Sequence, residues 1–255
     1  MRKAHFRFYA ELNDFLAPER RQARFSHCFR GHESVKDLIE SLGVPHPEVN
    51  LILVNGESTD FYYSVQDGDW LSIYPAFTTI DIEPVSRVQP QPLPQARFVL
   101  DINLGRLATY LRMLGFDVLY WNDGQDEDLA RLSCNEERIL LSRDRGLLKR
   151  SIVNHGYCVR STDPQEQLVE VLRRFNLFGA IMPFRRCLSC NSELELVAKD
   201  SILERLPPQT RQDYEDFRLC PRCDQIYWQG SHYQRMQQFI EQVLQQQPLQ
   251  HRLKT

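Results

Sequence analysis

The sequence predicts an α/β protein of three modules, and three observations predict it. Residues 80–95, IDIEPVSRVQPQPLPQ, hold four prolines and little apolar content, the composition of a semi-extended linker. Between 97 and 180, apolar strand runs alternate with helical segments. Past 181 stand two CxxC pairs. The expected boundaries are therefore a first module at 1–80, a linker at 81–96, a second module at 97–180, a third at 181–235, and a C-terminal helix and tail at 236–255. At 255 residues the chain is long enough for several small domains, and 42% hydrophobic with 25% charged residues excludes a fibrous or wholly disordered protein. The opening MRKAHFRFYAEL lacks a continuous apolar stretch, and no later run approaches the roughly 18 apolar residues of a membrane span, so a soluble, cytoplasmic protein with no membrane contact is expected.

The first module reads as strand (HFRFYA), strand (ARFSHCF), helix (SVKDLIESLG, opened by Ser34 and closed by Gly43), strand (NLILVNG) and strand (WLSIYP). This β-β-α-β-β order suggests a β-grasp. The stretch LILVNGESTDFYYSVQDGDWLSIYPA resembles the ubiquitin-like sulfur carriers, whose NGE and DGD turns bracket the last strands. Those carriers end in a flexible Gly-Gly that is adenylated and thiolated. Here the strand runs on into PAFTTIDIEP, which argues against sulfur transfer and for a binding or docking domain with a protein partner of unknown identity.

The second module runs RFVLD, LGRLATYLRMLG, DVLYW, the segment 126–137, RILLSRD, YCVRS and PQEQLVEVLRRFN. Strands of this kind separated by helices imply a parallel sheet, which binds ligands at its carboxyl edge. Four acids lie at or just past those strand ends: Asp101, Asp126, Asp144 and Asp163. Any one of them has an alternative role as a helix cap, Asp126 before EDLARL especially. Carboxylates brought together repel unless a hard cation such as Mg²⁺ or Mn²⁺ neutralises them, and such a site suits phosphodiester hydrolysis. Asp128, two positions from Asp126, points elsewhere on a regular helix. No phosphate loop, GxSxG elbow or HExxH helix is present. His155 precedes Gly156 in a turn and reads as structural or exposed rather than catalytic.

Residues 1–80 carry eight Lys and Arg against eleven Asp and Glu, and residues 97–180 carry twelve of each, so bulk charge does not call for nucleic acid. The local bunching of Arg143, Arg145, Lys149 and Arg150, continued by Arg160, Arg173, Arg174, Arg185 and Arg186, describes either a phosphate-facing stripe or a solvated helix face.

Seven cysteines in a chain without a secretory signal favour metal over disulfides. Cys187, Cys190, Cys220 and Cys223 have the spacing of a tetrahedral Cys₄ zinc ribbon, with all four thiolates used and the zinc structural. Cys28, Cys134 and Cys158 are expected as buried packing residues. Tyr227, Trp228, His232 and Tyr233, beside Arg222 and Arg235, read either as a base-stacking surface or as the core of this small domain, and a Gln-rich helix follows from Gln237.

The segments DINLGRLATYLRMLGFDVLY, RILLSRDRGLLKR, VRSTDPQEQLVEVLRRF and CLSC with CPRCDQIYWQGSHYQRM, in that order from 97 to about 235, together resemble the Mutator-seven C-terminal RNase family, a PIN-like nuclease fused to a zinc ribbon. The N-terminal module is similar to one found fused to that family. The resemblance implies metal-dependent cleavage of RNA, including tRNA or ribosomal RNA, with Asp101, Asp126 and Asp144 as acids holding Mg²⁺ or Mn²⁺ and Asp163 as a fourth. LATYLR replaces the expected LARWLR and removes a basic residue near that site. The competing expectation is a non-catalytic RNA-binding or ribosome-associated adaptor.

Overall fold

The computed structural model describes residues 1–77, 82, 84–88, 93 and 95–246, with the side chain of His232 left out. The N-terminal strands are β1 (Arg2–Phe8), β2 (Phe25–Phe29), β3 (Leu51–Val54), β4 (Glu57–Thr59) and β5 (Trp70–Tyr74), with helix α1 (Val35–Ser41) between β2 and β3. The sheet order is β2-β1-β5-β3-β4, with β1 parallel to β5 and the other pairs antiparallel. This is the expected β-grasp. β1 forms because apolar residues recur with period two: Ala4, Phe6 and Phe8 point into the core. Helix α1 starts where expected, in a reciprocal cap in which Ser34 Oγ accepts from Asp37 N and an Asp37 carboxylate oxygen accepts from Ser34 N, both at 3.1 Å.

Sequence reasoning missed β4 and three short 3₁₀ segments, Ala10–Phe15, Pro18–Arg20 and His46–Glu48. The NGE turn is a tight hairpin: Asn55 and Gly56 have φ of 53° and 91°, the left-handed pair that joins β3 to β4. Buried Asp69 ties this turn to the DGD turn by accepting from Asn55 Nδ2 at 2.8 Å and Gln66 N at 2.7 Å.

After the linker come β6 (Arg97–Leu100), α2 (Gly105–Met113), β7 (Asp117–Leu119), α3 (Asp126–Asn135), β8 (Ile139–Ser142), α4 (Arg145–Leu148), β9 (Gly156–Cys158) and α5 (Pro164–Arg174). The strand and helix alternation of the second module is present, and β6-β8-β9 form the expected parallel sheet. Every residue of β8 is buried, as a doubly covered strand requires. The four-residue helix α4 is an addition to the predicted elements.

The third region contains β10 (Glu195–Val197), α6 (Lys199–Ile202), α7 (Pro208–Asp213), β11 (Phe217–Leu219), β12 (Ile226–Trp228) and α8 (Ser231–Gln245). β10-β11-β12 is an antiparallel sheet. The C-terminal helix starts at Ser231, earlier than the expected 236, and its apolar residues Met236, Ile240 and Val243 recur at helical spacing and are buried. The expected tail beyond 246 lies outside the described residues.

The chain divides into two compact units, one of Met1–Asn103 with Asp123–Arg160 and the other of Leu104–Asn122 with Ser161–Thr255. The β-grasp and the β6-β8-β9 sheet thus share the first unit. Part of the expected linker lies outside the described residues. Within what is described, Ile82 and Val88 are buried and Ser86 Oγ donates to Asn50 O at 2.6 Å, so this stretch is anchored to the first unit rather than wholly extended. No helix among the described residues is long and apolar enough to cross a membrane.

Candidate active site and metal centre

In the first unit, the parallel register of β6 on β8 sets Leu100 opposite Leu141, and Asp101 N donates to Leu141 O at 3.0 Å. The next side chains therefore meet at the carboxyl edge of the sheet. Asp101 is 5% exposed, and its carboxylate accepts from Ser142 Oγ at 2.8 Å and from Ile102 N at 2.6 Å. Ser142 Oγ in turn accepts from Asp144 N at 2.8 Å. Among the described residues no Lys, Arg or His pairs with Asp101, although desolvating a carboxylate is costly without a cation or several donors. Ser142 was not singled out by sequence reasoning. Its signal is positional, as the last residue of β8 and the register partner of the residue after β6.

The other acids are placed differently. Asp144 is exposed and caps α4, its Oδ1 accepting from Gly146 N at 2.6 Å. Asp126 is the first residue of α3, half-buried; the cap position belongs to Gln125, so the expected Asp126 cap is not made. Asp126, Glu127 and Asp128 together put three acids in the first turn, where the helix dipole favours them. Asp163, in the second unit, caps α5 by accepting from Gln165 N at 2.9 Å and Glu166 N at 3.0 Å. Asp101, Asp126 and Asp144 do not draw together as a metal cluster: among the described residues the four cysteines are the one such group of His, Cys, Asp or Glu.

Two of the four expected RNA-contacting cations are engaged by the β-grasp. Arg145 Nη1 donates to Phe15 O at 3.2 Å with its guanidinium 5.0 Å from the Phe15 ring centre, and Lys149 Nζ donates to Glu40 O at 2.7 Å. Burial pushes the Lys149 ammonium below its ordinary value. Arg160 joins them through Glu48 and Asp14, each at 3.2 Å. Burial opposes the Arg160 charge, but the Glu48 carboxylate more than offsets this and holds the guanidinium protonated. Glu48 is 1% exposed and also accepts from Cys158 N at 2.5 Å. His46 bridges Glu40 Oε1 at 2.6 Å and Val153 O at 2.8 Å. A side chain at Gly156 would meet Leu148 at 2.9 Å and Pro47 at 3.3 Å, so this glycine permits the close approach. The β-grasp is thus a docking domain toward its own chain. Arg143 and Arg150 remain exposed.

In the second unit, the Sγ atoms of Cys187, Cys190, Cys220 and Cys223 all lie within 4.8 Å of one another, with Cys187–Cys223 at 3.4 Å and Cys190–Cys220 at 3.3 Å. A tetrahedral zinc with bonds of about 2.3 Å sets its sulfurs roughly 3.8 Å apart. The two knuckles repeat one another: Cys187 N donates to Ser192 O and Asn191 N to Cys187 O, while Cys220 N donates to Gln225 O and Asp224 N to Cys220 O. Asn191 and Asp224, each following a second cysteine, have φ of 71° and 61°. Desolvation of its sulfur and the neighbouring thiols lift Cys223 to about 12; desolvation also opposes ionisation of Cys190, but hydrogen bonds from Ser192 and the neighbouring thiols draw it down to about 6. Four such thiols ionise together only beside a cation. The cluster can hold zinc.

Of the ribbon aromatics, Tyr227 and Trp228 belong to the core. Tyr227 Oη is 3.1 Å from Cys187 Sγ and accepts from Leu188 N, and Trp228 packs on Ile202, Leu206 and Phe217. Arg112 of α2, 5% exposed, donates to Val118 O, to Leu188 O at 3.0 Å and to Ser189 O at 2.9 Å, so a buried guanidinium grips the first knuckle's carbonyls. Thr109, where the family resemblance led us to expect arginine, donates back to Gly105 O at 3.2 Å. Of the remaining cysteines Cys158 is buried and Cys134 half-buried, while Cys28, expected inside, is exposed because its register with Lys3 puts it on the outer sheet face.

A family model for the Mut7-C RNAse domain matches residues 96–240, and one for the Mut7-C ubiquitin domain matches residues 1–81. The crystal structure of SAMP1 from Haloferax volcanii is similar at 18% identity over 31% of this chain and 99% of that chain, with a TM-score of 0.25, too low to carry argument. No curated protein matches the chain. With the RNase model spanning more than half of its length, the chain belongs to the Mut7-C RNAse domain family.

Proposed function

We propose that the protein is a metal-dependent ribonuclease whose site is centred on Asp101. The observation that carries this reading is a buried carboxylate at the carboxyl edge of a parallel sheet, served by one hydroxyl and one amide and, among the described residues, by no cationic side chain. The oxygen donors of Asp101, Asp126 and Asp144 suit Mg²⁺ or Mn²⁺, which when bound would activate water and offset charge on the phosphoryl group. Asp101 supplies the fixed ligand. Asp144 has a second carboxylate oxygen beyond the one its cap uses, and Asp126 stands in the first turn of α3. Arg143 and Arg150 contact RNA phosphates, and a structural zinc in the four-cysteine cluster holds the ribbon.

The test is cleavage of labelled single-stranded and structured RNA across a Mn²⁺ and Mg²⁺ titration, comparing wild type with Asp101→Asn. Metal-dependent products lost in the variant support the assignment; equal rates overturn it.

A second reading, a non-catalytic RNA-binding adaptor, is favoured because, among the described residues, the three acids do not form a group ready to hold a metal. It predicts RNA binding that survives Asp101→Asn and no hydrolysis with any divalent ion.

A further inference from the structure

We propose that the outer face of the β-grasp sheet is a platform for single-stranded RNA. Strand alternation and register place Lys3, His5 and Arg7 of β1 on the face opposite the core, with Ser26 of β2 beside His5 and with Trp70 and Ser72 of β5 beside His5 and Arg7. Two stacked ring pairs stand on it. The His5 and Trp70 rings lie 4.3 Å apart at 17°, and the Tyr9 and Tyr74 rings lie 4.1 Å apart at 11°. Cations flank both pairs: the Arg24 guanidinium is 5.6 Å from the Trp70 ring centre, and that of Arg7 is 4.9 Å from the Tyr9 ring centre. A shallow groove beside Trp70 is lined by Arg7, Arg24, Asn55, Trp70 and Ser72.

Charge selects the occupant. The module holds more acids than bases, yet no Asp or Glu occupies an outward position on β1, β2 or β5. Lys3, Arg7 and Arg24 therefore stand beside the flat rings with no acid between them on these strands. Trp70 is 49% exposed even with His5 stacked on it, so ring surface is left open to a base. Exposed rings that can take a base, flanked by guanidinia that can take a phosphate, are the chemistry of single-strand recognition on a sheet. The opposite side of the sheet is filled by the core, and the docking contacts of Phe15, Glu40, His46 and Glu48 use none of these residues. The platform is independent of the Asp101 site, and its occupancy is read by binding alone.

The test is fluorescence anisotropy of a labelled, mixed-sequence single-stranded RNA with the full chain in divalent-free buffer. Trp70→Ala is expected to weaken binding about tenfold, as loss of one stacked base does, while Trp70→Phe retains most of it. Arg7→Glu combined with Arg24→Glu is expected to weaken binding further and to reduce its salt dependence by roughly two phosphate contacts. Asp101→Asn is expected to bind as wild type does. Wild-type protein that does not bind, or Trp70 and arginine variants that bind within about twofold of wild type, would overturn the platform. So would variants that lose a co-purifying protein partner while keeping RNA. Loss of cleavage in Asp101→Asn with binding intact separates this outcome from that of the nuclease reading.

Discussion

The Ser142 hydroxyl donates to the Asp101 carboxylate at 2.8 Å and accepts from the Asp144 amide at the same distance. One hydroxyl therefore fixes two strand ends, holding the buried acid in place and setting the turn that aims Asp144. Ser142→Ala leaves the Asp101 carboxylate with the Ile102 amide alone and the Asp144 amide without its acceptor. Removing one partner of a buried polar group costs about 1–3 kcal/mol. The expected outcome is a lower urea midpoint together with a fall in kcat of at least about tenfold and little change in KM, measured in the cleavage assay. An unchanged kcat would remove Ser142 as a positioning residue.

Glu48 is a β-grasp residue whose carboxylate is spent on the nuclease part of the first unit, on Arg160 and on the Cys158 amide. Glu48→Ala leaves a half-buried guanidinium and a strand amide without that acceptor, at a cost of about 3 kcal/mol. Glu48→Gln keeps an oxygen for Cys158 N and is expected to cost less. Denaturant unfolding of the full chain orders the three proteins, with wild type most stable and Glu48→Ala least.

Arg112 and the zinc cluster form a second linked pair of predictions. Arg112→Met leaves the carbonyls of Val118, Leu188 and Ser189 without the guanidinium's donors, so knuckle geometry relaxes. Zinc affinity is expected to fall about 10- to 100-fold, measured by competition with a chromophoric chelator. Because Cys223 keeps its proton up to about 12 in the metal-free cluster, zinc binding must expel protons, and affinity is expected to fall as pH is lowered.

The sequence made the elements legible where local rules act. The Ser34 cap, the Asn55–Gly56 turn and the strands ending at Leu100 and Ser142 follow from period, caps and turn residues within a few positions. Asp101 was found because parallel sheets present their carboxyl edges. What escaped was set by distant pairing. Glu48 reaches Cys158 across 110 positions, and no local pattern marks that acid as a docking residue. Arg145 and Lys149 read equally well as RNA ligands or as domain contacts, since a cation on a helix carries no label for its partner. Arg112 sat inside a quoted motif, but its burial against the CLSC knuckle depends on chain segments 76 residues apart. Helix α4 is too short for periodicity to reveal.

The turn after α2 gives the sharpest stability test. Gly115 has φ of +94°, and a Cβ there would lie 2.0 Å from Met182 O, a backbone atom that cannot swing aside. The same stretch is pinned by Met182 N donating to Leu114 O at 2.9 Å and Phe184 N donating to Met113 O at 3.2 Å. Gly115→Ala must therefore pay left-handed strain and also push the 182–184 segment off the end of α2, breaking both bonds. The combined cost is expected to exceed about 3 kcal/mol, a large fraction of a domain's stability. Gly179→Ala is the control: its φ is not in the left-handed region and nothing lies within 4 Å of the added methyl. Thermal unfolding is expected to place Gly179→Ala close to wild type and Gly115→Ala far below it, with the zinc cluster lost in the same transition; equal midpoints would mean that the 182–184 segment yields freely.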